Sequence, residues 1–134
     1  MSESAAGVEV SGALGAKPEI TIPASEPPAE LESTDLATGD GAEASPGATV
    51  TTHYVGVSWS TGRQFDASWD RGGPISFGLN QVIAGWTTGI PGMRVGGRRL
   101  LVIPPHLGYG AAGAGAAIGP NETLAFVIDL VEVT

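Results

Sequence analysis

No cysteine occurs among the 134 residues, which excludes both a disulfide framework and a thiolate metal site. Lysine and arginine together number only six, a poor match for nucleic acid, whose binding depends on neutralising phosphates. No apolar run approaches the roughly 18 to 20 residues of a membrane-spanning helix, and the start MSESAAGVEV lacks the basic stretch and apolar core of a signal peptide. The expectation is a soluble, cytoplasmic monomer without nucleic-acid or membrane partners.

Chemistry is narrowed in the same way. The histidines, His53 and His106, are far apart with no second ligand at a useful spacing, so ordinary structural roles are expected for both. Without cysteine, and with no serine in a nucleophile-elbow context, covalent catalysis lacks equipment. Nothing calls for a metal or a cofactor.

What is present suits one domain with one core. The net charge of −8 lies in the front: residues 1–46 hold nine acids against Lys17, whereas residues 47–134 hold five acids against five arginines. The acidic front reads as a solubilising segment. Residues 1–16 are read as a flexible or weakly ordered segment, or at VEV as a short strand, and residues 17–134 as the domain.

KPEITIP alternates as a strand closed by Pro23, and LESTDLATG resembles a second, polar strand. TVTTHYVGVSW has period two, with Val50, Thr52 and Tyr54 on one face and His53, Val55 and Val57 on the other. In PISFGLN, Ile75, Phe77 and Leu79 share a face; RRLLVIP and TLAFVIDLVEV are further strands. QVIAGWTTGIPGM carries Val82, Ile83, Trp86 and Ile90 at helical spacing and predicts a short helix of about two and a half turns. The fold class is α+β, an antiparallel sheet whose apolar face the helix covers.

GYGAAG, residues 108–113, formally matches a dinucleotide fingerprint, yet Pro104 and Pro105 separate it from the preceding strand and the glycine-rich sequence after it is no helix. Asp129, at about the right distance for that motif, falls on a strand where it alternates outward. NET, residues 121–123, fits a glycosylation sequon without secretory context. More informative are Tyr54, Phe65, Phe77, Trp86, Tyr109 and Phe126, one to each segment. Such a distribution either fills the core or meets at one end of the sheet as an apolar cup.

The runs VTTHYVGV, GRQFDASWDRGGPISFGL, QVIAGWTTGIPGMRVGGRRLLVIPPHLGYG and IGPNETLAFVIDLVEV resemble the FKBP-type peptidyl-prolyl cis-trans isomerases, in the manner of a small single-domain actinobacterial member. The resemblance covers residues from about Pro46 to Thr134, and residues 17–45 look like the extra leading strands of bacterial members. It implies a five- or six-stranded antiparallel sheet wrapped around one short helix. It also implies a pocket of Tyr54, Phe65, Asp66, Val82, Ile83, Trp86, Tyr109 and Phe126, with Ile75, Ile118 and Arg71 as further substrate contacts. Trp86 would be the floor beneath a prolyl ring, with the Ile83 N–H and the Tyr109 phenol binding ligand carbonyls. Departures from the small members fall at Ile75 in place of an aromatic, Ala114 in place of a histidine, Ala117 in place of an isoleucine and Gly119 in place of a proline.

The implied activity is rotation about X-Pro bonds in flexible or unfolded chains, with macrolides of the rapamycin and tacrolimus type as inhibitors. Rotation needs no nucleophile or metal, because no bond breaks. Asp66 reads either as a surface carboxylate paired with Arg71 or as a rim group that orients Tyr54 or Arg71. Two other functions compete: a module that holds proline segments or macrolides with little turnover, and a domain whose aromatics are core alone.

Overall fold

The computed structural model describes residues 2–5, 7–115 and 118–134. Strands β1 (Ser2–Ala5), β2 (Val8–Ser11) and β3 (Glu19–Thr21) form a small antiparallel sheet. A six-stranded antiparallel sheet follows, built from β4 (Glu32–Ala37), β5 (Thr49–Ser58), β6 (Gln64–Ala67), β7 (Ile75–Gly78), β8 (Arg98–Ile103) and β9 (Leu124–Val133). Its order is β4-β8-β9-β5-β6, and β7 pairs with the first half of β5 on the same edge as β6. Of the expected five or six strands around one short helix, the large sheet has six among the described residues.

The helix, α1, spans only Ala84–Gly89. Val82 and Ile83 precede it, with Ile83 extended at φ −60° and ψ 151°, while Pro91 and Gly92 (φ 97°) stop it. The apolar periodicity of residues 82–90 therefore extends past the helix: Val82 and Ile83 precede it, Ile83 in an extended conformation, and Ile90 is its C-cap, still αR and bonded through its N–H to Trp86 O. Gly85 and Gly89 press α1 onto β8: a Cβ added at Gly85 would lie 2.6 Å from Ile103, and one at Gly89 2.7 Å from Leu101.

Alternation along the strands divides the core into two sides. Leu101, Ile103, Leu124, Phe126, Ile128 and Leu130 face α1 and enclose Trp86. Leu100, Val102 and Val127 face the other way, onto Val8, Val10 and Trp59. Of the two readings of the first sixteen residues, the structure has the strand at VEV, with Val8 and Val10 buried. The small sheet is thus a third layer, so both faces of the large sheet are covered.

That layer changes the environment of Asp129. It does point away from α1, but Arg98 and the loop after β2 cover it. Arg98 donates to Asp129 through Nε (2.6 Å) and Nη2 (2.8 Å), and also to the carbonyls of Gly12 (3.2 Å) and Ala16 (2.8 Å). The guanidinium is buried, its side chain 3 % exposed.

Candidate functional site

β5 supplies Tyr54 and β6 supplies Phe65 and Asp66, brought together by the pairing of Gly56 with Asp66. Gly56 is required there, since a Cβ would stand 2.6 Å from the Phe65 ring and 2.7 Å from Phe126. β9 adds Phe126, β7 adds Phe77, and α1 brings Trp86 to the centre. The indole meets Tyr54, Phe77 and Phe126 edge-on, with centroids 5.3, 5.2 and 5.3 Å away. Phe65 stands at 89° to Phe126 at 5.4 Å. Such edge-to-face pairs fix ring positions as well as burying area.

Together these rings line a cavity of about 540 Å³ with Asp66, Arg71, Gln81, Val82, Ile83 and Tyr109, a size suited to a small ligand or a peptide segment. Packing and cavity lining are not alternatives for Trp86: its residue is 4 % exposed, yet it contributes to the wall. The indole Nε1 is buried without a hydrogen-bond partner. Tyr109, 40 % exposed, stands at the mouth.

The polar rim is ordered by Asp66. Tyr54 Oη donates to Asp66 Oδ2 at 2.7 Å and Arg71 Nη2 donates to Oδ1 at 2.8 Å, so one carboxylate orients both partners. Burial first, and then the hydrogen bond to Asp66, push the Tyr54 phenol up to about 12. Behind the rim, the buried Ser68 Oγ accepts the Tyr54 N–H at 2.7 Å and bonds His53 Nδ1 at 2.8 Å. Trp69 stacks on that imidazole at 3.7 Å. Ser68 and Trp69 thereby tie the 3-10 turn Ser68–Arg71, which carries Arg71, to the backbone of β5.

The expected Tyr54, Phe65, Asp66, Arg71, Val82, Ile83, Trp86, Tyr109 and Phe126 all line this one cavity. Ile75 and Ile118 do not: Ile118 is buried in the core at 5 % exposure, and Ile75 packs against that core from β7. Phe77 and Gln81 occupy wall positions beyond the expected substrate contacts. Phe77 is one of the six aromatics that the sequence allows either to fill the core or to meet as a cup, and it lines the cavity; Gln81, in the turn before α1, carries no signal in the sequence. In the loop beyond Tyr109, Ala114 N donates to Ile118 O at 2.8 Å, while Ala117 lies outside the described residues.

Residues 41–131 match the family model of the FKBP-type peptidyl-prolyl cis-trans isomerase. The chain is 58 % identical over 120 residues to an FK506-binding protein of Streptomyces anulatus, covering 87 % of this chain and 97 % of that one. It is 52 % identical over 115 residues to a probable FK506-binding protein of Corynebacterium glutamicum, covering 86 % and 97 %. Among solved structures, a peptidyl-prolyl cis-trans isomerase of Pseudomonas syringae pv. tomato superposes with a TM-score of 0.71 at 38 % identity, over 78 % of this chain and 75 % of that one.

Proposed function

The chain belongs to the FKBP-type peptidyl-prolyl cis-trans isomerase family, and we propose that its aromatic cavity seats the prolyl ring of an X-Pro segment on Trp86 while the amide rotates. The observation that carries this assignment is the convergence of Tyr54, Phe65, Phe77 and Phe126 around one indole at the base of an open cavity.

The barrier to be lowered is roughly 18 to 20 kcal/mol, set by the partial double bond of the amide. Uncatalysed exchange takes tens to hundreds of seconds. The planar amide keeps negative charge on oxygen, which water stabilises and this wall does not, whereas the twisted amide is less polar. A site that binds the twisted geometry better than the planar one accelerates rotation, and every factor of ten requires about 1.4 kcal/mol of that preference.

The polar groups have separate tasks in this reading. The Ile83 N–H has no acceptor among the described residues and is free for a ligand carbonyl at the start of α1. The Tyr109 phenol at the mouth serves a second carbonyl. Asp66, bonded through both oxygens, holds Tyr54 and Arg71 in place and presents an electronegative edge to the rotating carbonyl carbon. It transfers no proton.

The test is a proline-peptide isomerisation assay with and without tacrolimus. Acceleration at micromolar protein that tacrolimus abolishes, and that Trp86→Ala and Tyr109→Phe weaken, is the expected result. Absence of acceleration would remove the catalytic reading.

A further inference from the structure

We propose that Arg99 and Asp35 form a positioning pair for α1, and through it for the Trp86 floor and the Ile83 N–H. The inference rests on the catalytic reading of the cavity but concerns residues outside it.

α1 has little to hold it by itself. It is six residues long, has no side-chain bond at its N-cap, no acid in its first turn and no base in its last. Helices this short are not self-sustaining in water, and their terminal carbonyls need outside donors. Arg99 supplies them from the neighbouring strand: Nη1 donates to Gly89 O at 2.7 Å and to Pro91 O at 3.3 Å. A cation at this end also opposes the partial negative charge of the aligned carbonyls.

Asp35 fixes the donor in turn. Its carboxylate takes Arg99 Nε at 2.6 Å and Nη2 at 3.3 Å, a two-point hold on a planar group. The two residues are direct partners in the β4–β8 ladder, so the fork is set by sheet register. The Arg99 side chain is 12 % exposed and that of Asp35 45 %, so the Arg99–Asp35 half of the arrangement is open to solvent and screened. The bonds from Arg99 to the Gly89 and Pro91 carbonyls are part-buried.

Two residues on, Leu101 packs against Gly89 from the same strand. β8 thus grips α1 with apolar contacts at both of its glycines, Ile103 at Gly85 and Leu101 at Gly89, and with one polar contact, from Arg99 at the C-terminal end. Trp86, whose carbonyl accepts the Ile90 N–H at 3.0 Å, lies one turn before the gripped end, and Ile83 lies at the other end. Rotation or slippage of so short a helix would move both cavity groups together.

The experiment uses the full chain labelled with 5-fluorotryptophan, with the Trp86 fluorine signal assigned by Trp59→Phe and Trp69→Phe. Isomerase kinetics are measured at low temperature, on variants whose folding is checked by circular dichroism. Arg99→Met is expected to shift or broaden the Trp86 signal and to lower kcat/KM about tenfold, equivalent to about 1.4 kcal/mol. Asp35→Asn is expected to do the same to a smaller extent, and Arg99→Lys to recover part of the loss. Val10→Ala, on the far face of the sheet, should lower Tm while leaving the Trp86 signal and kcat/KM within twofold. An unchanged Trp86 signal and unchanged kcat/KM in Arg99→Met would overturn the proposal, whatever happens to Tm. Should Arg99→Met not fold, Asp35→Asn decides on the same two measurements. A wild-type protein without isomerase activity would remove the catalytic reading, and the fluorine signal would then decide on the clamp alone.

Discussion

The Tyr54 phenol donates to Asp66 at 2.7 Å from a position where its ring also packs edge-on against Trp86, so one residue joins the polar rim to the aromatic floor. Its ionisation is pushed up to about 12, against about 10 for an unfolded tyrosine. The stability this gives is fully present below about pH 10, declines between about pH 10 and 12, and is lost above that. At about 1.4 kcal/mol per unit, roughly 2 to 3 kcal/mol is involved. Urea unfolding of wild type and Tyr54→Phe between about pH 9 and 11.5 isolates the effect, because every other titrating group is common to both. The wild type is expected to lose stability more steeply than the variant; parallel curves would contradict the assignment.

Gly85 sits against the Ile103 side chain, with 2.6 Å available where a Cβ would go. In a free helix Gly→Ala would add about 1 kcal/mol of stability. Here overpacking dominates, at about 1 to 3 kcal/mol, so Gly85→Ala is expected to be net destabilising in urea unfolding. The helix is also displaced from β8, and kcat/KM falls with it. A more stable Gly85→Ala would mean that α1 does not lie this close to the sheet.

Arg98 and Asp129 anchor the small sheet at a distance from the cavity. Removing one partner of a buried pair costs about 3 to 5 kcal/mol, since the other charge is left uncompensated. Arg98→Ala also strips the donor from the Gly12 and Ala16 carbonyls. Loss of stability of that order is expected, together with faster hydrogen exchange at Val8 and Val10. Arg98→Met combined with Asp129→Leu should recover much of the stability, because no lone charge remains. Isomerase activity of the folded fraction should be unchanged in both.

The strands and the cup were legible because period-two alternation and aromatic spacing are local signals. VTTHYVGV and LAFVIDLV each place their apolar faces as the structure does. The third layer was harder to see: LLVI in β8 is apolar at every position, the mark of a strand buried on both faces, but nothing local says which segment covers the second face. Val8 and Val10 reach Leu100 and Val102 across some ninety positions of chain, and only tertiary packing brings them together. Arg99 and Asp35 are hidden for the same reason, since their pairing depends on the β4–β8 register. The apolar pattern is longer than the helix because Val82 and Ile83 bury apolar surface before α1 begins, while Ile90 closes it as the C-cap, its N–H bonded to Trp86 O.

Phe77 carries the sharpest difference between strand pattern and site. Ile75 and Phe77 share a face of β7, yet only Phe77 reaches the cavity, 5.2 Å from Trp86 and 6.0 Å from Tyr54. An aromatic missing at Ile75 therefore leaves the wall closed, because the ring beside the floor comes from two residues later. Phe77→Leu removes one edge-to-face partner of the indole, worth about 0.5 to 1.5 kcal/mol beyond area. It is expected to lower kcat/KM about two- to thirteenfold, the ratios that range of energy gives when all of it is lost from the transition state. Ile75→Leu, which keeps volume on the same strand outside the cavity, should cost less than about 1.5 kcal/mol of stability and leave kcat/KM unchanged. Equal kinetic effects of the two substitutions, measured in the same peptide assay, would show that β7 acts on the site only as a packed strand.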